Sequence, residues 1–127
     1  MHSESIRKFN NHQYINVETF RKNGIGVKTP VWFAQDDDSL VVRTESSSGK
    51  MKRIRNNQRV RIAACDARGG VLGEWMDAQA EIIADEDEKK RIDRLVAKKY
   101  GLMKRFMDVF GKMRKSSYGA FRINFIE

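Results

Sequence analysis

The stretch Ser46-Ser47-Ser48-Gly49-Lys50-Met51-Lys52-Arg53-Ile54-Arg55 concentrates the groups of this chain suited to holding an anion. Three hydroxyls and a glycine precede a run in which Met51 and Ile54 fall at helical spacing. Ser47 or Ser48 suits the N-cap, because a serine oxygen accepts from a backbone N–H that the helix leaves unpaired. The first turn presents further unpaired N–H groups and a partial positive charge. Lys50 adds a side-chain donor. These are the parts of a phosphate site, although the G-x-x-x-x-G-K-[ST] spacing of a Walker A loop is absent. The same residues also describe a capped surface helix with a solvated basic face.

A second candidate is Lys28-Thr29-Pro30-Val31-Trp32. Pro30 cannot donate to a ladder, which places this strand at an edge or at a bulge. A flat heteroaromatic ligand could lie against such an edge; a buried strand with Trp32 in the core is the alternative. Other chemistry lacks its parts. His2 and His12 lie in an N-terminal region expected to be mobile, and Cys65 has no histidine near it in sequence. Cys65 reads as a small buried strand residue. One cysteine and two N-terminal histidines give no metal-ligand spacing. Asp36, Asp37 and Asp38 read as a solvated hairpin tip.

The charge pattern narrows the partner. The chain of 127 residues carries 25 Lys+Arg against 17 Asp+Glu, a net charge of +8, which points to an anionic partner. Residues 50–68 hold seven basic side chains and one acid, whereas residues 69–84 hold only acids. Residues 85–115 hold eleven basic and six acidic groups and read as solvated helix faces. The tight cluster therefore begins at Lys50. A nucleic-acid-binding barrel would need aromatics beside that stripe for base stacking. Phe9, Tyr14 and Trp32 are not clustered with it in sequence.

The elements that must position these groups follow from periodicity. Tyr14 to Arg21 reads as a strand ending at Asn23-Gly24, a hairpin signal. From Gly26, Val27, Thr29, Val31 and Phe33 alternate with Lys28, Pro30, Trp32 and Ala34, the period of a strand. Asp36–Ser39 reverses the chain into a strand over Leu40–Thr44. The short helix then ends at Asn56-Asn57. Arg59–Cys65 alternates again, and after Gly69-Gly70 a long strand is expected over Val71–Ala84. Asp85-Glu86-Asp87-Glu88 places negative charge at a helix start, where the dipole favours it. Ile92, Leu95 and Val96 mark that helix, which Gly101 breaks. Leu102, Phe106, Val109, Phe110 and Met113 mark a second one. Phe121, Ile123 and Phe125 alternate in a closing strand.

The expected fold is mainly β: one domain over residues 1–127, with 1–13 a flexible segment. It is an antiparallel barrel of six strands with helical insertions. No apolar run is long enough to span a bilayer. Met1–Phe9 lacks the apolar core of a secretory signal, so a cytoplasmic location is expected.

Three ordered segments carry a resemblance. Gly26–Phe33, Leu40–Thr44 and Ser48–Val60 resemble the pyridoxamine 5′-phosphate oxidase-like flavin and deazaflavin oxidoreductases, most closely the small branch labelled F-420-dependent. The strand Gly73–Ala80 fits, and so does the helical pair before a final strand. The likeness runs from about Tyr14 onward. It implies a split β-barrel, and a homodimer with FMN or coenzyme F-420 bound between subunits. It implies that Lys28, Thr29, Pro30, Val31 and Trp32 line the ring system with backbone groups. Arg43 and Thr44 would meet its polar edge or ribityl chain. Ser48, Gly49 and Lys50 would hold the phosphate, with Lys52 and Arg53 in support. Gln58 stands where the family often has proline. The C-terminal segment that closes over pyridoxal phosphate substrates in the full-length oxidase is replaced here by residues 85–115. The implied activity is hydride transfer with a small organic substrate, without a catalytic side chain or metal. A non-catalytic flavin or haem carrier is the alternative.

Overall fold

The computed structural model describes residues 2–101 and 118–126. Seven strands form one antiparallel sheet: β1 (Tyr14–Phe20), β2 (Gly26–Trp32), β3 (Ala34–Asp36), β4 (Ser39–Glu45), β5 (Arg59–Cys65), β6 (Met76–Ile83) and β7 (Tyr118–Phe125). Among the described residues three helices accompany them: α1 (His2–Arg7), α2 (Gly49–Asn56) and α3 (Glu86–Tyr100). The strand order is β2-β1-β5-β6-β7-β4-β3. Only Phe33 separates β2 from β3 in sequence, yet they stand at opposite ends of that order. The sheet must therefore curl until its two ends meet at Phe33, which makes it a split barrel.

Alternation fills the barrel. Ile15 and Val17 of β1, Leu40 and Val42 of β4, Val60 and Ile62 of β5 and Ala78 and Ala80 of β6 all point inward. They meet Phe121, Ile123 and Phe125 of β7 in one buried cluster. The opposite phase of β3, β4 and β7 (Ala34, Val41, Ala120) packs outward against Ile92 and Val96 of α3. A one-residue slip would exchange these faces, so two cores of different partners lock the register.

The ends of elements follow their local chemistry. Gly24 adopts a φ of +88° in the β1–β2 hairpin, where its N–H donates to Arg21 O at 2.8 Å. Asp37, at φ +55°, turns β3 into β4. Asp85 caps α3, accepting from Glu88 N at 2.9 Å. Gly101 ends that helix, as its spacing predicts.

Two expectations change. The sheet has seven strands rather than six, because the run from Val27 through Ala34 is cut at Phe33 and shared between both ends of the sheet. The strand expected over Val71–Ala84 is confined to Met76–Ile83, with Val71 making a lone bridge to Cys65. Asp66 Oδ1 accepts from Arg68 N (2.9 Å) and Gly70 N (2.8 Å), holding the preceding loop as a turn instead. The N-terminal segment carries an apolar anchor. Ile6 and Phe9 join the barrel core, where the Phe9 ring meets Phe33 and Phe125 at 6.2 and 5.8 Å. The second helix, expected from Leu102 to Met113, lies outside the described residues.

Candidate functional site

The basic stretch folds as its spacing predicts. Ser48 is the N-cap of α2, its Oγ accepting from Met51 N at 3.4 Å. Met51 and Ile54 are the buried face of the helix, lying against β1 and β6. That contact fixes the first turn beside the end of β1.

Arg53 bends back over this turn. Its Nε donates to Thr19 Oγ1 on β1 at 2.6 Å. Its Nη1 lies 2.8 Å from where a Cβ on Gly49 would stand. Glycine here makes room for the guanidinium. Burial, then the charge of Arg21, lowers the Arg53 pKa. Lys50 is half-buried. Its pKa is lowered by burial first and by the Arg53 charge next, with Glu45 opposing. Arg53 thus stands close enough to Lys50 on one side and to Arg21 on the other to feel repulsion from each. Oriented backbone N–H groups beside gathered cations match the donor chemistry of a phosphate ester.

The other expected site residues are distributed as follows. β2 is the terminal strand of the sheet, pairing with β1 alone, with Pro30 opposite Asn16. This agrees with the edge position that proline requires. Val31 turns inward onto the core. Trp32 faces α3, its indole stacked on Tyr100. Lys28 Nζ is 5.3 Å from the centre of the Trp75 ring. Thr29 and Thr44 are half-buried, and Lys52 is exposed on α2. Arg43 is drawn to α3, its Nε 2.9 Å from Asp93 Oδ1, with its guanidinium over the Tyr118 ring at 4.3 Å. The fold therefore gathers Ser48, Gly49, Lys50 and Arg53 at one place and aims Arg43 and the Trp32 side chain at α3.

Sequence reasoning missed five participants. Thr19 and Arg21 reach α2 from the end of β1, which strand periodicity alone does not reveal. Trp75 lies near two cations: Arg61 is 5.2 Å and Lys28 5.3 Å from the centre of its ring. Glu18, nearly buried, sits beside them, with Arg61 Nη1 3.3 Å from its Oε1. An aromatic thus does stand beside part of the basic stripe, together with a carboxylate that offsets the charge. Tyr100, the fifth, packs on Trp32 from the last turn of α3. Its hydroxyl accepts from Phe33 N at 3.0 Å, and its proton faces Gln13 O (2.6 Å) and Phe33 O (2.9 Å).

Burial, then Asp66, pushes the Cys65 thiol up to about 11, so it is a poor nucleophile. No group of three metal-ligating side chains stands together among the described residues. No described helix is long and apolar enough to cross a membrane.

The family described as pyridoxamine 5′-phosphate oxidase matches residues 3–127. No curated protein matches the chain. Several solved structures share the fold. A conserved hypothetical protein from Mycobacterium tuberculosis superposes with a TM-score of 0.73 at 21% identity, covering 98% of this chain and 80% of that one. An FAD-binding protein from Mesorhizobium loti gives 0.68 at 16% identity, covering 100% and 89%. A haem storage protein from Vibrio cholerae gives 0.72 at 13%, covering 98% and 89%.

Proposed function

This chain belongs to the pyridoxamine 5′-phosphate oxidase family, and from that premise we propose that it binds FMN or coenzyme F-420 and works as an oxidoreductase on a small conjugated or heteroaromatic substrate. The observation that carries the reading is the convergence of the Ser48-capped turn, Gly49, Lys50 and Arg53 on one anion-binding place. The FAD-binding relative of like fold supports a flavin-type ligand.

The residues present fit such a cofactor. Backbone N–H groups of α2, Lys50 and Arg53 are donors suited to its phosphate, with Lys52 in outer support. The terminal strand β2, from Lys28 to Trp32, supplies main-chain groups for the ring system. Thr44 leads from β4 towards the phosphate loop, and Arg43 steadies that strand against α3 through Asp93. A second copy of the chain would complete the site. When bound, the cofactor supplies hydride chemistry. The protein's part is to bind, to orient and to hold hydrogen bonds to the ring edge, which agrees with the buried thiol of Cys65.

The test is a titration of the purified protein with FMN and with coenzyme F-420, followed by absorbance and fluorescence. Saturable binding of either one is expected, with Lys50→Ala weakening it about tenfold while the fold persists. Failure of both cofactors to bind would reject the reading.

A further inference from the structure

Thr19 is fully buried at an inward position of β1, in phase with the core residues Ile15 and Val17. A hydroxyl at an apolar position costs stability unless it is hydrogen-bonded. Its partner comes from another element, the Arg53 Nε at 2.6 Å. A guanidinium is a planar fork, so holding one nitrogen fixes the directions of the others. The Arg53 fork is thereby set over Gly49, in the space a Cβ would occupy. Without that hold, repulsion from Arg21 and Lys50 would drive it away from the turn. The fold thus holds Arg53 beside Lys50 and Arg21 by a specific hydrogen bond. Such an arrangement destabilises the free protein and is offset when an anion arrives.

We propose that Thr19 is a positioning residue for phosphate-ester recognition: its hydroxyl aims the Arg53 guanidinium across the first turn of α2, so that Arg53, Lys50 and Arg21 together distinguish a phosphorylated cofactor from its dephosphorylated form. This rests on the cofactor reading above. Thr19 acts through Arg53 and touches no cofactor atom itself.

The experiment compares affinities within a matched pair. FMN is set against riboflavin, or coenzyme F-420 against its dephosphorylated chromophore, whichever pair the native protein binds. In Thr19→Val, which keeps the side-chain shape, affinity for the phosphorylated member falls about tenfold and affinity for the other is unchanged. Thr19→Ser restores the native ratio. Arg53→Lys keeps a charge but has no second nitrogen to aim, and it shows the same selective loss. This variant serves if Thr19→Val does not fold by circular dichroism. Combining Thr19→Val with Arg53→Gln gives no further loss beyond Arg53→Gln alone.

Equal losses for both members of the pair, or additive losses in the double variant, overturn the proposal. If Lys50→Ala changes the ratio and Thr19→Val does not, the role of Thr19 falls and the cofactor reading stands. If the native protein does not favour the phosphorylated member, both fall.

Discussion

The indole of Trp32 lies flat on the phenol ring of Tyr100, with centroids 4.3 Å apart and planes 6° from parallel. Trp32 ends β2, and Tyr100 ends α3. The contact ties the helix to the strand from which the barrel turns back towards β3. The Tyr100 hydroxyl continues the tie to both backbone groups of Phe33, the residue where the two ends of the sheet meet.

Tyr100→Phe keeps the stacked ring and removes that hydroxyl. Phe33 is wholly buried, so its N–H loses a partner that water cannot easily replace. A loss of about 1–3 kcal/mol is expected in urea unfolding. Burial raises the Tyr100 pKa from 10.0 to about 12. The neutral form is thus favoured by folding, and the unfolded chain releases the proton first as pH rises. The contribution is complete below pH 10 and is lost as pH rises towards about 12. Stability of Tyr100→Phe should decline less over that window.

Asp36 anchors the other end of α3. Arg91 grips it with two nitrogens at 3.1 and 2.5 Å, and Arg122 of β7 adds a third contact at 2.8 Å. Hydrogen bonding from Arg91 is the leading cause that lowers its pKa to about 2, with Arg122 adding to it against the opposing effect of burial. The contribution is therefore present above pH 3.8 and is lost as pH falls towards about 2. Allowing for solvent screening, it amounts to about 1–2 kcal/mol. Asp36→Asn should lose at least that much at pH 7 and show a weaker acid dependence, read from urea midpoints at pH 7, 4 and 2.5.

Gly49→Ala separates stability from binding. The new Cβ would displace the Arg53 guanidinium, the far end of a flexible side chain, rather than backbone. Alanine also favours helix by about 0.5–1 kcal/mol over glycine. Thermal stability should change little, because the helix gain offsets the lost Thr19 hydrogen bond, while affinity for the phosphorylated cofactor falls about tenfold. A parallel drop in both would show that the glycine serves the fold alone.

Phe9→Ala tests the N-terminal anchor. Phe9 is 2% exposed, packed between Phe33 and Phe125, and Lys8 beside it pairs with Glu74. Removing the ring should cost about 3–5 kcal/mol in chemical denaturation. A change under 1 kcal/mol would mean that the segment is dispensable to the core.

Much of the architecture was legible because it rests on local rules. Period two marked Arg59–Cys65 and Phe121–Phe125, and a serine before Met51 and Ile54 marked the capped helix. The N-terminal anchor was not legible, since Ile6 and Phe9 are too few to show a period. The end of the strand near Trp75 was not legible either, because the Asp66 turn that delays it depends on side-chain hydrogen bonds.

The sequence by itself determined the phase of the strands that alternate cleanly, such as Arg59–Cys65 and Phe121–Phe125, the start of α2 and the placing of a dense cluster of positive charge from Lys50 onward. These depend on residues adjacent in the chain, whose alternation, caps and turns act over a few positions. Only the tertiary structure decided which cations share a site. Arg53 turns towards Thr19 and Arg21, 34 and 32 positions away, whereas Arg43 turns to Asp93 and Trp32 to Tyr100. Those choices arise from the curl of the sheet, which brings distant strand ends beside a helix, and no local pattern encodes that distance.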